Sequence, residues 1–166
     1  HAQRFAGGMG VELDLLDPYG YPVASNTAFD GAQLQTVAAP TDGNYTVHVV
    51  AKDLAGNSTM QSLTLDIDQT QPILSFEIHP AQLRKNQTAE VTLLLSESIA
   101  ALPHLTPSQG SLSAWTAVPH SSGLRYKATL TPPDNDGGRI TWTLAAWSDA
   151  AGNPGLGQAP AALDFD

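Results

Sequence analysis

The chain of 166 residues has no cysteine, so neither a disulfide framework nor thiolate chemistry is available to it. It has no apolar run long enough to cross a bilayer and no visible signal peptide at His1, which argues against membrane insertion. It has no helical period of useful length. Basic residues are few: seven lysines and arginines face sixteen aspartates and glutamates, for a net charge of −9. That balance disfavours nucleic acid and anionic membrane surfaces as partners, and suits solubility or metal cations. No phosphate-cradling glycine motif precedes a helix, and no patch interleaves basic with aromatic residues.

Catalytic constellations are missing as well. His48 falls on an outward strand face, His79 and His104 flank prolines, and His120 sits in a serine-rich loop. No two of them have zinc-site spacing. Ser121 and Ser122 follow His120, but no nucleophile-elbow motif is present. The expectation is a protein that is not an enzyme.

What the sequence does have is the punctuation of a β protein. Twelve prolines and fourteen glycines separate short apolar runs, the spacing of a sandwich. Val11, Leu13 and Leu15 alternate with Glu12 and Asp14, and Asp17-Pro18-Tyr19-Gly20 is a turn. Residues 21–24 and 32–38 are weaker strand candidates, separated by polar Ser25-Asn26-Thr27. Tyr45, Val47, Val49 and Ala51 then face inward, and 60–67 closes a hairpin. Tyr45 follows an Asp-x-x-Tyr pattern and precedes an inward Val47, the place of the corner tyrosine in immunoglobulin domains.

Beyond Pro72 the pattern restarts with Leu74/Phe76/Ile78, Ala89/Val91/Leu93/Leu95, Tyr126/Ala128/Leu130 and Ile140/Trp142/Leu144/Ala146. Asp53-Leu54-Ala55-Gly56-Asn57 recurs as Asp149-Ala150-Ala151-Gly152-Asn153, and Asp66-Ile67-Asp68 as Asp164-Phe165-Asp166. A repeat of about 100 residues with about seven short strands is one immunoglobulin-like sandwich per unit. The expected fold is therefore all-β: two tandem immunoglobulin-like β-sandwich domains, 1–70 (with its first strand missing or unusual) and 71–166.

These residues carry a family resemblance. Asp-x-Ala-Gly-Asn near the last hairpin, followed by a closing strand and the junction Asp68-Gln69-Thr70-Gln71-Pro72, resembles the bacterial Ig-like repeats of large surface adhesins. Val91-Thr92-Leu93-Leu94-Leu95-Ser96-Glu97, Gln109-Gly110-Ser111-Leu112 and Tyr126-Lys127-Ala128-Thr129-Leu130-Thr131-Pro132 fall in that family's order. The resemblance implies an extracellular stalk, often stiffened by calcium, in a long repetitive surface protein. It also implies neighbouring repeats of the same chain as partners. Glycans of a host or surface would be met through another part of the protein, and the segment itself would be a monomer.

In such a sandwich the Asp-x-Ala-Gly-Asn loop and the end of the closing strand lie at opposite poles. Asp149 should then reach the pole at which the chain enters its domain. Glu97, just past the second strand, should emerge at the same end. The expectation is a junction calcium site built from Asp66, Asp68, Glu97 and Asp149, with Asp53 serving a site shared with a preceding domain. Calcium takes about six to eight oxygens, several of them carboxylates. For Asp53 and Asp149 the simpler reading is loop capping, in which an aspartate bonds nearby backbone amides.

Three tryptophans support a rival function. Trp142 is in phase with the core, Trp147 is out of phase, and Trp115 is undecided. Exposed aromatics on a sandwich can stack on sugar rings, so the alternative is an accessory carbohydrate-binding module of a secreted hydrolase.

Overall fold

The computed structural model describes residues 10–28 and 41–166. The strand expected at 32–38 lies outside them. Every described element is a β-strand; no helix occurs among the described residues. The chain divides into two compact units, His1–Gln69 and Thr70–Asp166.

In the first unit the strands are β1 (Gly10–Leu16), β2 (Pro22–Ala28), β3 (Gly43–Lys52) and β4 (Ser58–Ile67). They form one antiparallel sheet in the order β2-β1-β3-β4. Ser25-Asn26-Thr27 does not break β2: its backbone stays in register with β1, Ser25 opposite Asp14 and Thr27 opposite Glu12. The ladder uses main-chain groups, so polar side chains on one strand do not end it. One face collects Leu13 and Leu15, Tyr45, Val47 and Val49, with Leu63 and Leu65 alongside, through the pairs Leu15–Val47 and Tyr45–Leu65. Burial peaks at Leu15 and Tyr45. The Tyr45 hydroxyl donates to the Thr41 carbonyl at 2.9 Å, the hydrogen bond of a tyrosine corner.

The second unit carries β5 (Leu74–His79), β6 (Gln82–Leu83), β7 (Ala89–Leu95), β8 (Leu105–Pro107), β9 (Ser111–Leu112) and β10 (Thr116–Ala117). They are followed by β11 (Arg125–Thr131), β12 (Gly138–Ile140), β13 (Trp142–Leu144) and β14 (Leu163–Phe165). One layer has the order β5-β7-β11-β10, with β9 also on β11. The other is built from β8 against β13, and from β12-β14-β6. This is the A-B-E-D and C-F-G arrangement of an immunoglobulin sandwich.

Period-two patterning sets the layers. On β11, Ala128 and Leu130 are buried while Lys127, Thr129 and Thr131 are exposed. The main core cluster joins Ala89, Val91 and Leu130 from one layer to Leu83, Leu105, Ile140, Leu163 and Phe165 from the other. A second cluster, Leu74, Leu93, Leu95 and Ile99, continues it along β5 and β7.

Two expectations need correction. The run Ile140 to Ala146 is not one strand in one ladder. Its first part pairs with β14 and its second with β8. Between them Thr141 is held by Ser108, whose amide donates to the Thr141 carbonyl at 2.8 Å and whose hydroxyl takes the Thr141 amide at 2.9 Å. Ala146, expected inside, is exposed.

The tryptophans are not exposed platforms. Trp115 stacks on Phe76 with ring centroids 6.2 Å apart, and Trp115 and Trp142 are partly buried against the main cluster. Trp147 is partly buried against the second cluster. Its phase misleads because the chain has left β13 by then and no longer alternates. The indole lies on Gly155, whose amide donates to the Trp147 carbonyl at 2.9 Å. A Cβ at position 155 would run into the ring. Gly155→Ala should therefore lower stability by about 1–3 kcal/mol, the usual cost of overpacking. A drop in the thermal midpoint, with a red shift of tryptophan emission as the indole is pushed outward, checks it.

Candidate functional site

The pole of the second unit at which the chain enters is assembled by backbone clamps. Leu156 donates its amide to the Pro72 carbonyl at 2.8 Å and accepts the Leu74 amide at 2.9 Å. On the other side, the Ser96 amide donates to the Ile73 carbonyl at 2.8 Å, and the Ser96 hydroxyl accepts the Ile73 amide at 2.8 Å. The chain at 72–74 is thus held between the turn after β7 and the segment that follows the Asp149 loop. Ser96 was not singled out by the sequence. Its signal would have been a hydroxyl residue at the strand end immediately before Glu97.

Two acids meet at this pole. Glu97 and Asp149 each offer a carboxylate oxygen, and these lie within 4.8 Å of one another. Asp68 is the next-to-last residue of the first unit. Asp149 is only 9 % exposed. Charges about 4 Å apart repel by about 1 kcal/mol in water and about 4 kcal/mol at the effective dielectric near a protein surface. A divalent cation would reverse that sign. With two oxygens each, paired carboxylates suit the oxygen-rich, flexible coordination of calcium better than the strict octahedron of magnesium.

Asp66 is engaged within the first unit. It lies within β4 opposite Asn44, whose side-chain amide donates to it at 2.7 Å. The strand ends at Ile67, so Asp68 leaves the alternation that would have placed both aspartates on one face. Asp53 caps the β3–β4 hairpin, at the end of the hairpin away from Asp68. Asp164 of the terminal Asp164-Phe165-Asp166 pairs with Arg139 across the ladder at 3.5 Å.

The repeated loops have one conformation. The Asn57 amide donates to Asp53 Oδ1 at 2.8 Å, and the Asn57 side chain to Oδ2 at 2.8 Å. The Asn153 amide and side chain bind Asp149 in the same way, both at 2.8 Å. Gly56 and Gly152 adopt φ of 90° and 93°, which a residue with a Cβ takes up only at a cost. The capping reading thus describes what Asp53 and Asp149 do within their loops. It leaves lone pairs on each oxygen for a further partner.

The turn at Asp17 is a third loop of this kind. Its Oδ1 accepts the amides of Tyr19 and Tyr21, each at 2.9 Å. Tyr19 and Tyr21 stand where the repeat has alanine and asparagine, so only the Asp-x-x-Gly spacing betrays the likeness.

The caps make these aspartates more acidic. The side-chain and then the backbone hydrogen bonds of Asn57 hold the Asp53 carboxyl below the ordinary value. For Asp149 burial opposes ionisation, but the hydrogen bonds from Asn153 outweigh it and its carboxyl also sits low. A carboxylate whose folded pKa is depressed stabilises the fold fully above its unfolded pKa, about 3.9, and loses that contribution as pH falls through the lower folded value. Thermal midpoints should therefore fall on acidification below about pH 4. Asp53→Asn and Asp149→Asn should each blunt the fall, as read by melts between neutral and strongly acidic buffer.

The Ser121 hydroxyl donates to the Val118 carbonyl at 2.7 Å.

No curated protein matches the chain. A family model described as a bacterial Ig-like domain matches residues 68–163. The match covers more than half of the chain, begins at Asp68 and therefore contains Asp68, Glu97 and Asp149. By its sandwich topology and this match, the chain belongs to the bacterial Ig-like domain family.

Proposed function

We propose that this chain is a non-catalytic spacer segment of an extracellular bacterial adhesin, in which Asp68, Glu97 and Asp149 bind calcium. The observation that carries the reading is the pairing of Glu97 with Asp149 at the pole where the chain enters the second unit, a short step in sequence after Asp68. A cation there would fasten the tether, through Asp68, to the turn after β7 and to the Asp149 loop. It would cancel their repulsion and remove bending freedom from the segment before Pro72. The Tyr45 corner and the identical Asp53 loop support a second immunoglobulin-like module in the first unit, as in a tandem array whose partners are neighbouring repeats. Extracellular calcium modules bind at about 10⁻⁴–10⁻³ M, so such a site fills outside a cell and empties inside one. The rival reading as a carbohydrate-binding accessory rested on the tryptophans, and their contacts with the two core clusters weaken it.

Small-angle scattering with calcium and then with chelator tests the proposal. The expected result is a narrower distribution of particle dimensions with the ion. An unchanged profile, together with no heat on calcium titration, would leave a plain spacer without a metal.

A further inference from the structure

We infer that the first unit carries a binding cleft for a neutral glycan, with Tyr19 as its stacking platform. Tyr19 is 86 % exposed and Tyr21 69 %. Their exposure is not a matter of looseness. The Asp17 amide donates to the Tyr21 carbonyl at 2.8 Å and the Gly20 amide to the Asp17 carbonyl at 2.9 Å. Asp17 Oδ1 holds the amides of both tyrosines. A large ring is thus presented to water on a loop already ordered by its own backbone. Such a ring has little entropy left to lose on binding.

The loop forms one wall of an open cleft of about 700 Å³. Asn44, Thr46 and His48 of β3 form the other. These three alternate with buried Tyr45, so they share the face opposite the core. The cleft therefore joins an aromatic surface to the Thr46 hydroxyl, the His48 imidazole and the amide of Asn44, which also donates to Asp66; between them these groups donate and accept. A pyranose matches this pairing. Its C–H face is apolar enough to lie on a phenol ring, and its hydroxyls can take the polar row. A protein partner is the poorer fit. A stable protein contact needs an apolar centre within about 800 Å² per side, and here the apolar surface is limited to Leu16, Pro18 and the Tyr19 ring beside a polar wall. The charge selects further. Asp17 in the cleft and the net charge of −9 work against polymers of uronic acids or sulfated sugars.

This site is independent of the calcium reading and of the spacer role. The test uses the full chain, amide chemical shifts, and cellohexaose, mannohexaose, chitohexaose and hexagalacturonate as probes. At least one neutral hexasaccharide should shift the amides of the Asp17 loop and of β3 saturably, while hexagalacturonate should not. Tyr19→Ala should weaken that binding about tenfold or more, about 1.4 kcal/mol, with an unchanged melting midpoint because the ring is exposed. Leu54→Ala, 76 % exposed on a comparable loop, should leave binding intact. Silence toward all three neutral sugars, or equal losses in Tyr19→Ala and Leu54→Ala, would overturn the inference, and silence would leave Tyr19 to a protein contact. Equal binding of hexagalacturonate would refute its charge selectivity.

Discussion

Leu130→Ala should lower the stability of the second unit by about 2–5 kcal/mol, the range for truncating a buried leucine. Leu130 has no exposed surface and sits on β11 where the two layers meet, in one cluster with Leu83, Ile140 and Phe165. These three cluster members come from three different strands of the facing layer, so collapse around the lost side chain would have to move several strands together. That places the cost toward the upper part of the range. Leu63→Ala is the internal control: Leu63 is 61 % exposed on β4, and its loss should fall within the small effects of surface substitutions, about 0.5 kcal/mol. Chemical denaturation of both variants measures the difference. If the two cost the same, Leu130 does not lie at the centre of the core.

Trp142 gives a subtler contrast. It is only partly buried against the same cluster, and its indole Nε1 is buried without a hydrogen-bond partner among the described residues. A buried polar group that finds no partner costs free energy. Trp142→Phe should accordingly be milder than the lost volume alone suggests, whereas Trp142→Ala loses the packing as well.

These positions show what was legible in the sequence. Alternation on β5 and β11 marks the inner face because each of those strands holds one register along its length, whereas on β7 Thr92 is buried too and Leu93-Leu94-Leu95 blurs the pattern. The pattern could not show that the run from Ile140 changes partner at Thr141, since alternation records which face a residue takes and not which strand it bonds. Nor could it place Trp147, whose burial depends on Gly155, eight positions on and outside any strand. The Asp-x-Ala-Gly-Asn repeat announced its loops, because an aspartate reaching an asparagine four residues later is a local device. Which acids come together was less legible. The end of β4 at Ile67 separates Asp66 from Asp68, and a strand end is set by pairing with β3 rather than by residue type.

The largest functional effect is expected at those acids. Calcium should bind the full chain in the range of about 10⁻⁴–10⁻³ M, and Asp68→Ala or Glu97→Ala should abolish the calorimetric signal. Neither residue belongs to the Asp-x-Ala-Gly-Asn loop, so each removes a ligand without removing a cap. Asp149→Ala removes both, since the carboxylate that faces Glu97 also holds the Asn153 amide and side chain. It should lose calcium binding and also lower the melting midpoint in chelator. Asp53→Ala separates the two roles. It takes away the same cap in the first unit but lies at the other end of the β3–β4 hairpin from Asp68, so it should lower the chelator midpoint and leave calcium binding unchanged. Asp66→Ala should also leave binding intact, because that carboxylate is engaged by Asn44. Calcium should raise the melting midpoint of the unmodified chain, since an ion that binds only the folded state stabilises it by mass action. That rise should disappear in Asp68→Ala. Should Asp53→Ala or Asp66→Ala weaken calcium as strongly as Asp68→Ala does, the ion is held elsewhere and the assignment of these three acids fails.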